Sequence, residues 1–232
     1  MILHPDGGSQ SDPNVKRDLY DGFAIAGRAL ASGRRVELLD LLAQRARSVD
    51  ELAAAAGMET ANTSQHLQVL RNAGLVVARR RGKRVYYRLA SEAVLDLLDT
   101  LRTVAHDHSA EVRALAEEYL GGEVEPITRE ALLVRLEAGT VTVLDVRPRS
   151  EYEAGHLPGA RSVPIEELRE RLGELVEEDE VVAYCRGRFC AYAHQAVRLL
   201  KEGGVVARRL EDGVPQWAAT GLPLDRQEAR WT

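Results

Sequence analysis

The hydrophobic pattern changes its period once along the chain, and that change limits the folds open to it. From Val15 to about Leu120 apolar residues recur mostly at helical spacing. Beyond the stretch "GGEVEPIT", with its paired glycines and a proline, the runs "VTVLDV" and "EVVAYC" are short and continuously apolar. Helical stretches around Glu166–Leu175 and Ala191–Glu202 separate them. Apolar strands alternating with helices predict a parallel sheet covered on both faces. Two domains follow, the first mainly α and the second α/β. The expected boundaries are a mobile tail over 1–14, a helical domain over 15–120, a linker over 121–126 and the α/β domain over 127–232. The tail is rich in Gly, Pro, Ser and Asp and shows no periodicity.

Local signals place the elements of the first half. Leu38, Leu39, Leu41 and Leu42 form an apolar face on a helix opening around Ser32–Gly33. "SVDELAAAAG" starts with Ser48 and Glu51 in capping-box spacing and closes at Gly57. A second short helix, about Thr60 to Asn72, ends at Gly74. "LVVARRRGKRVYYRL" then gives two β-prone runs about a Gly-Lys turn, a hairpin with a basic tip. After Ser91 a helix is expected to run on toward Leu120.

Charge singles out the same region. The chain carries a formal net charge of −5, yet Gly57 to Ala90 holds seven basic residues and one acid. A basic island in an acidic protein is an electrostatic footprint. Two short helices, a tight turn and a basic hairpin have the order of a winged helix-turn-helix. In that geometry the second helix enters the major groove, offering Thr60, Asn62, Thr63, Ser64, Gln65, His66 and Gln68. The wing would bring Arg79, Arg80, Arg81, Lys83 and Arg84 to phosphates, so the expected partner is double-stranded DNA. Residues from about Asp18 to Leu101 resemble the ArsR-type repressor domain, with "SQHLQVLRNAGLV" very typical of it. The resemblance implies a homodimer formed through the first and last helices of the domain.

Many proteins of that type sense metals, which would require a set of metal ligands in this chain. No cysteine precedes residue 185, which removes a thiolate site near the recognition helices. His106, Asp107, His108 and Glu111 cluster on the long helix, and His108 and Glu111 have the spacing of two ligands on one face. The partner half-site of the family has no match, the nearest stretch reading Asp96-Leu97-Leu98. No metal and no other cofactor is expected.

The only two cysteines, Cys185 and Cys190, sit in one loop between a predicted strand and a predicted helix. Amides in such a loop and at the helix start form an anion cradle, expected to lower the pKa of a cysteine there. Arg186 and Arg188 add positive potential suited to an anionic substrate. Two cysteines are too few for a disulfide framework. With no signal-peptide pattern and no apolar run near the roughly eighteen residues of a membrane span, a cytoplasmic protein without membrane contact is expected.

From about Ile127 to Leu224 the chain resembles the rhodanese domain. "LDVRPRSEYEAGHLPGARSVP", "YCRGRFCAYAHQAVRLL" and "LEDGVPQWAATGLPL" carry the likeness. The resemblance implies a sulfurtransferase fold in which Cys185 takes a sulfane sulfur as a persulfide. The loop amides of Arg186, Gly187, Arg188 and Phe189 then stabilise it. Thiosulfate, polysulfide or a low-molecular-weight persulfide is the implied donor. Phosphatases of this fold need an arginine six positions after the cysteine, where this chain has Ala191. Asp145, Arg147 and His156 are read as structural, with Glu151 in the same polar network. Cys190 is either a small packing residue or a resolving thiol. His194 is either a packed residue or a group that tunes the loop thiols. The whole reads as a DNA-binding regulator responding to sulfur or redox species, or as a sulfurtransferase beside an uncoupled DNA-binding domain.

Overall fold

Asp12 opens the first helix. Its carboxylate accepts from the Asn14 amide at 2.9 Å, and Pro13 takes the first helical position, where its missing N–H costs nothing. The computed structural model describes residues 12–122, 124–176 and 178–227. Residues 1–11 of the expected tail lie outside the described residues, and the helix begins two residues inside that stretch. The described chain divides into two units. One holds the residues up to Leu39 with Arg47–Ala90, the other Asp40–Ala46 with Ser91 onward.

The first unit contains α1 (Pro13–Leu30), most of α2 (Gly33–Gln44), β1 (Arg47–Ser48), α3 (Val49–Ala55), α4 (Thr60–Asn72), β2 (Val76–Arg81) and β3 (Arg84–Leu89). The expected capping box forms. The Ser48 amide donates to Glu51 Oε2 at 2.8 Å and the Glu51 amide to Ser48 Oγ at 3.3 Å. All four leucines of the apolar face of α2 are buried. The hairpin turns at Gly82, whose φ of +59° is a conformation that suits glycine. Beyond the expected hairpin, β1 adds a third antiparallel strand, pairing Arg47 with Tyr87, in the order β1-β3-β2. Only Ala29 of α1 is buried, and Leu19, Tyr20 and Phe23 stand exposed on it.

The second unit begins with α5 (Glu92–His108) and α6 (Ala110–Leu120). The single helix expected here is broken at Ser109, which has extended φ and ψ of −121° and 115°. Ser109 Oγ accepts from the Val112 amide at 3.2 Å, and so caps a new helix instead of continuing the old one. There follow β4 (Pro126–Ile127), α7 (Arg129–Ala138), β5 (Thr142–Asp145), α8 (Arg149–Ala154), β6 (Arg161–Ser162), α9 (Ile165–Leu168), a 3₁₀ turn at Leu172–Glu174, β7 (Val181–Tyr184), α10 (Ala191–Glu202), β8 (Ala207–Leu210) and α11 (Val214–Ala219). The five strands pair in parallel in the order β4-β8-β7-β5-β6. The stretch expected as a linker, 121–126, belongs to this unit together with α5 and α6.

Alternation on the central strand explains its continuous apolar run. Val181, Ala183 and Cys185 join a core cluster with Ala193, Ala196, Val197 and Leu200 of α10. Val182 and Tyr184 face the opposite cluster, with Leu132, Leu157 and Trp217. Both faces are covered, so neither set of positions can be polar. The carboxyl ends of β7 and β8 therefore open onto one edge, where the cysteine loop lies.

Candidate functional site

Cys185 directly follows β7, and the loop 186–190 leads into α10. Gly187 holds a φ of +138°, which an L side chain rarely adopts. The turn closes through the Cys190 amide, which donates to the Gly187 carbonyl at 3.1 Å. The loop passes directly over Gly213 in the β8–α11 connection. A Cβ there would collide with the backbone of Arg186 and Gly187. The Gly213 amide donates to Gln216 Oε1 at 3.1 Å, while Gln216 Nε2 donates to Asp99 Oδ2 of α5 at 2.6 Å.

Both cysteines are free thiols. Cys185 is 2% exposed, and its Sγ lies 3.5 Å from the Cys190 carbonyl oxygen. Burial, and then interaction with Cys190, push its thiol well above the ordinary range. Cys190 behaves oppositely. A hydrogen bond from Cys185 lowers its pKa most, overcoming burial, with help from the backbone amides of Arg186 and Tyr192. The loop does acidify a thiol, but that thiol is Cys190 and not the expected Cys185. Backbone amides reach both thiols, those of Arg186 and Tyr192 at Cys190 and those of Ala193 and Gly187 at Cys185, but at Cys185 burial outweighs them.

The side chains named as a positive surround divide. Arg186 is held by Glu151, with Nη2 at 2.6 Å from Oε1 and Nε at 3.0 Å from Oε2. Burial opposes its charge, but the Glu151 carboxylate outweighs that and raises its pKa. This guanidinium is committed to the protein and is not available as expected to a substrate. Arg188 lies over the ring of Phe189, 5.5 Å from its centroid. Phe189 in turn packs against His106 of α5, with ring centroids 5.4 Å apart. The reactive loop therefore rests on α5. Neither Gln216–Asp99 nor Phe189–His106 was visible in the spacing of the sequence.

The residues read as structural are all buried. Arg147 is fully buried, donating to Asp145 Oδ1 through Nε at 2.9 Å and to the Gly155 carbonyl at 2.7 Å. The Tyr184 hydroxyl donates to Asp145 Oδ2 at 2.7 Å and accepts from the Leu157 amide at 3.1 Å. His156 stacks on Tyr152 at 3.6 Å. His194 is 4% exposed, with Nδ1 3.3 Å from the Cys190 carbonyl. Burial first and the nearby Arg209 charge second push its pKa down from 6.5 to about 4, so it is neutral near pH 7.

A cleft of about 840 Å³ borders the loop. Its walls include His106 and Arg113 of the helical segment, Phe189 and Cys190 of the loop, and Arg209 of β8. Cys190 lines this space and Cys185 is set behind it. Arg209, which the sequence reading passed over, is 8% exposed and has a buried Nε with no hydrogen-bond partner.

On the first unit, Thr60, Asn62, Ser64, Gln65 and Gln68 of α4 are exposed and His66 is half-buried. Thr63 departs from the expectation that it faces DNA. It is fully buried, and its hydroxyl donates to the Glu59 carbonyl at 3.0 Å. It lies one turn before Leu67 and two before Leu70, on the buried stripe of the helix. Arg79, Arg80, Arg81, Lys83 and Arg84 are all exposed along the hairpin tip.

Comparison with known proteins agrees with this division. Residues 32–77 match the bacterial regulatory protein, arsR family, and residues 128–220 match the rhodanese-like domain. The chain is 49% identical over 210 residues to the HTH-type transcriptional regulator Rv0324 of Mycobacterium tuberculosis, covering 90% of this chain and 93% of that protein. A sulfurtransferase of Allochromatium vinosum is 31% identical over 102 residues, 44% of this chain and 94% of its own length. Among solved structures, the homodimeric winged helix-turn-helix DNA-binding domain of Mb0332 from Mycobacterium bovis is 45% identical. It covers 43% of this chain and 92% of that one, with a TM-score of 0.40. No helix among the described residues is long and apolar enough to cross a membrane. The chain therefore belongs to the ArsR family of bacterial transcriptional regulators, and carries a rhodanese-like domain after its winged helix-turn-helix.

Proposed function

We propose that this regulator responds to sulfane sulfur, which the Cys185–Cys190 loop takes up as a persulfide and reports as a change in DNA affinity. The observation that carries the reading is the pair of interacting free thiols in a loop that rests on α5. Cys185 is the carrier, as the resemblance implies, and Cys190 is the base and the resolving thiol. As the Cys185 sulfur attacks the outer sulfur of a donor, its proton passes to Cys190. A sulfur–sulfur bond forms at Cys185, and the donor's own sulfur–sulfur bond breaks with its electron pair on the leaving group. The proton now on Cys190 passes to the outer sulfur of the Cys185 persulfide anion, and attack by the resulting Cys190 thiolate on the inner sulfur releases hydrosulfide and leaves a Cys185–Cys190 disulfide.

The protein acts as a homodimer on double-stranded DNA, with α4 in the major groove and the hairpin on the flanking phosphates. Exposed apolar stripes support self-association: Leu19, Tyr20 and Phe23 on α1, and Leu97, Leu101 and Val104 on α5. Rearrangement of the loop would be felt at α5 through Phe189 and Gln216. The likeness to a sulfurtransferase favours a second reading, an enzyme beside an uncoupled DNA-binding domain.

Titration against DNA from the protein's own upstream region separates the two. It is run reduced and after a persulfide donor, with Cys185→Ser and Cys190→Ser alongside at one salt concentration. A several-fold shift in affinity that Cys185→Ser abolishes is the expected result. Unchanged affinity while Cys185 carries sulfur identifies the uncoupled enzyme.

A further inference from the structure

Asp40 and Gln44 lie one turn apart on α2 and share a face of that helix. Both belong to the unit that holds the rhodanese-like fold, whereas α2 up to Leu39 belongs to the unit of α4 and the hairpin. From each of the two, a continuous line of polar contacts runs to the residues that flank Cys185.

The first line starts at Gln44. Its Oε1 accepts from Arg147 Nη1 at 3.2 Å, and Arg147 Nε donates to Asp145 Oδ1 at 2.9 Å. The other oxygen of Asp145 accepts from the Tyr184 hydroxyl at 2.7 Å, and Tyr184 immediately precedes Cys185. Gln44 is 9% exposed, while Arg147, Asp145 and Tyr184 are fully buried. Gln44 Nε2 is buried too and has no hydrogen-bond partner. A buried amide bonded at one end only bears a desolvation cost, so packing does not account for a glutamine here.

The second line starts at Asp40. Its Oδ1 pairs with Arg102 Nη2 at 2.8 Å, and Arg102 Nη1 lies 3.5 Å from Asp99 Oδ1. Asp99 Oδ2 accepts from Gln216 Nε2 at 2.6 Å, and Gln216 Oε1 accepts from the Gly213 amide at 3.1 Å. The Gly213 backbone lies directly against the Arg186–Gly187 peptide, and a Cβ on Gly187 would stand 3.4 Å from Gln216 Oε1. This line therefore ends on the residues immediately after Cys185.

We propose that the Asp40–Gln44 face of α2 reads the state of Cys185 and passes it to the DNA-binding unit. This rests on the reading that the loop takes up sulfane sulfur, and it names how that event is transmitted. Cys185 is 2% exposed within a packed cluster. An added sulfur atom, or a bond to Cys190, therefore displaces the chain on either side of it. Tyr184 carries the displacement along the first line and the Arg186–Gly187 peptide along the second. The two lines converge on a single helical turn. That turn belongs to one continuous helix, in which the fully buried Leu38 and Leu39 come just before Asp40. A shift of the last turn of α2 is felt there.

DNA affinity and backbone hydrogen exchange are measured on the full-length chain, reduced and after a persulfide donor. Wild type is compared with Gln44→Met and Asp40→Ala, singly and together, at matched modification of Cys185 as read by peptide mass. The Asp40 pair is partly exposed, so Asp40→Ala costs little stability and carries the comparison should Gln44→Met fold poorly. Reduced-state DNA affinity should stay within about twofold of wild type in every variant, whereas the several-fold shift on modification should fall below about twofold in the double variant. Each single variant should lie between. Exchange over residues 40–46 should change on modification in the wild type and stay constant in the double variant. A full-sized affinity shift in the double variant overturns the role of α2 and leaves the sulfur reading standing. Unchanged exchange over 40–46 in the modified wild type also overturns it. Modified Cys185 with no affinity shift in the wild type sinks the sensor reading instead, and the exchange over 40–46 then decides separately whether α2 reads the loop.

Discussion

Glu151 of α8 grips Arg186 across the site, with both carboxylate oxygens within 3.0 Å of guanidinium nitrogens. The residue immediately after Cys185 is thereby tied to an element 35 positions earlier in the chain. Glu151 is fully buried and the Arg186 side chain is 17% exposed. Removing one partner of such a pair leaves the other's charge desolvated and unmatched. Glu151→Gln is therefore expected to cost about 3 kcal/mol in denaturant unfolding, within the range typical of broken buried pairs. The same substitution frees the loop at its first residue, so thiol alkylation should also speed up in the folded protein. A variant as stable as the wild type, with unchanged alkylation, shows that the clamp contributes nothing.

The two thiols should differ in reactivity in the order opposite to their likeness to the rhodanese pattern. Cys190 lines the cleft and has its pKa lowered by the Cys185 hydrogen bond first. Iodoacetamide at neutral pH is expected to label Cys190 well ahead of Cys185, as read by peptide mass spectrometry. Cys185→Ala deletes the donor, so the rate–pH profile of Cys190 should move to higher pH. If labelling falls first on Cys185, or the profile stays in place, the proton is not shared as described.

How legible each feature was depends on the distance over which its cause acts. The capping box of α3, the glycine stop after α4 and the basic hairpin rest on residues a few positions apart, and all three form. The break at Ser109 was missed because helical periodicity runs through it on both sides, and a single capping serine is a weak local signal. Thr63 was misassigned because its polarity drew attention from its position on the stripe shared with Leu67 and Leu70. The loop between the strand and the helix could be located from the apolar run before it. Which cysteine is acidic depends on burial and on the hydrogen bond between the two thiols, neither of which is a property of spacing. Arg209 looked like one more charge in "ARRL" until β8 was seen to be covered on both faces.

On the first unit, burial separates residues that composition treats alike. Gln65 is exposed on α4 and Arg80 at the hairpin, while Thr63 is closed off under its own helix. Arg80→Ala should weaken DNA binding on every sequence and lower the salt slope by about 1. Gln65→Ala should reduce discrimination between operator and unrelated DNA while leaving that slope intact. Thr63→Val should leave DNA affinity alone and cost stability of about 1 kcal/mol, for the lost hydrogen bond from the buried hydroxyl to the Glu59 carbonyl. Fluorescence anisotropy at three salt concentrations and one unfolding curve per variant distinguish these outcomes. A loss of sequence discrimination in Thr63→Val contradicts the burial of that side chain.

His194 makes stability depend on pH in a direction that its burial dictates. In the unfolded chain the imidazole titrates near 6.5, and in the folded protein it is pushed down to about 4, by burial first and by the charge of Arg209 second. Between those two values the unfolded state binds the proton and the folded state does not, so acid draws the equilibrium toward unfolding. This contribution to stability is fully present above pH 6.5, is lost as pH falls toward 4, and changes no further below that. Arg198 also disfavours the charged ring, and the Cys190 carbonyl favours it. Their balance leaves the neutral form at the loop near pH 7. His194→Gln keeps a polar side chain but removes the titration. Urea midpoints measured from pH 8 to 4 should therefore converge for wild type and variant as the pH falls, starting from a wild-type advantage at the alkaline end. Parallel curves across that window require that the folded state take up the proton as readily as the unfolded chain, and hence that the ring be solvated.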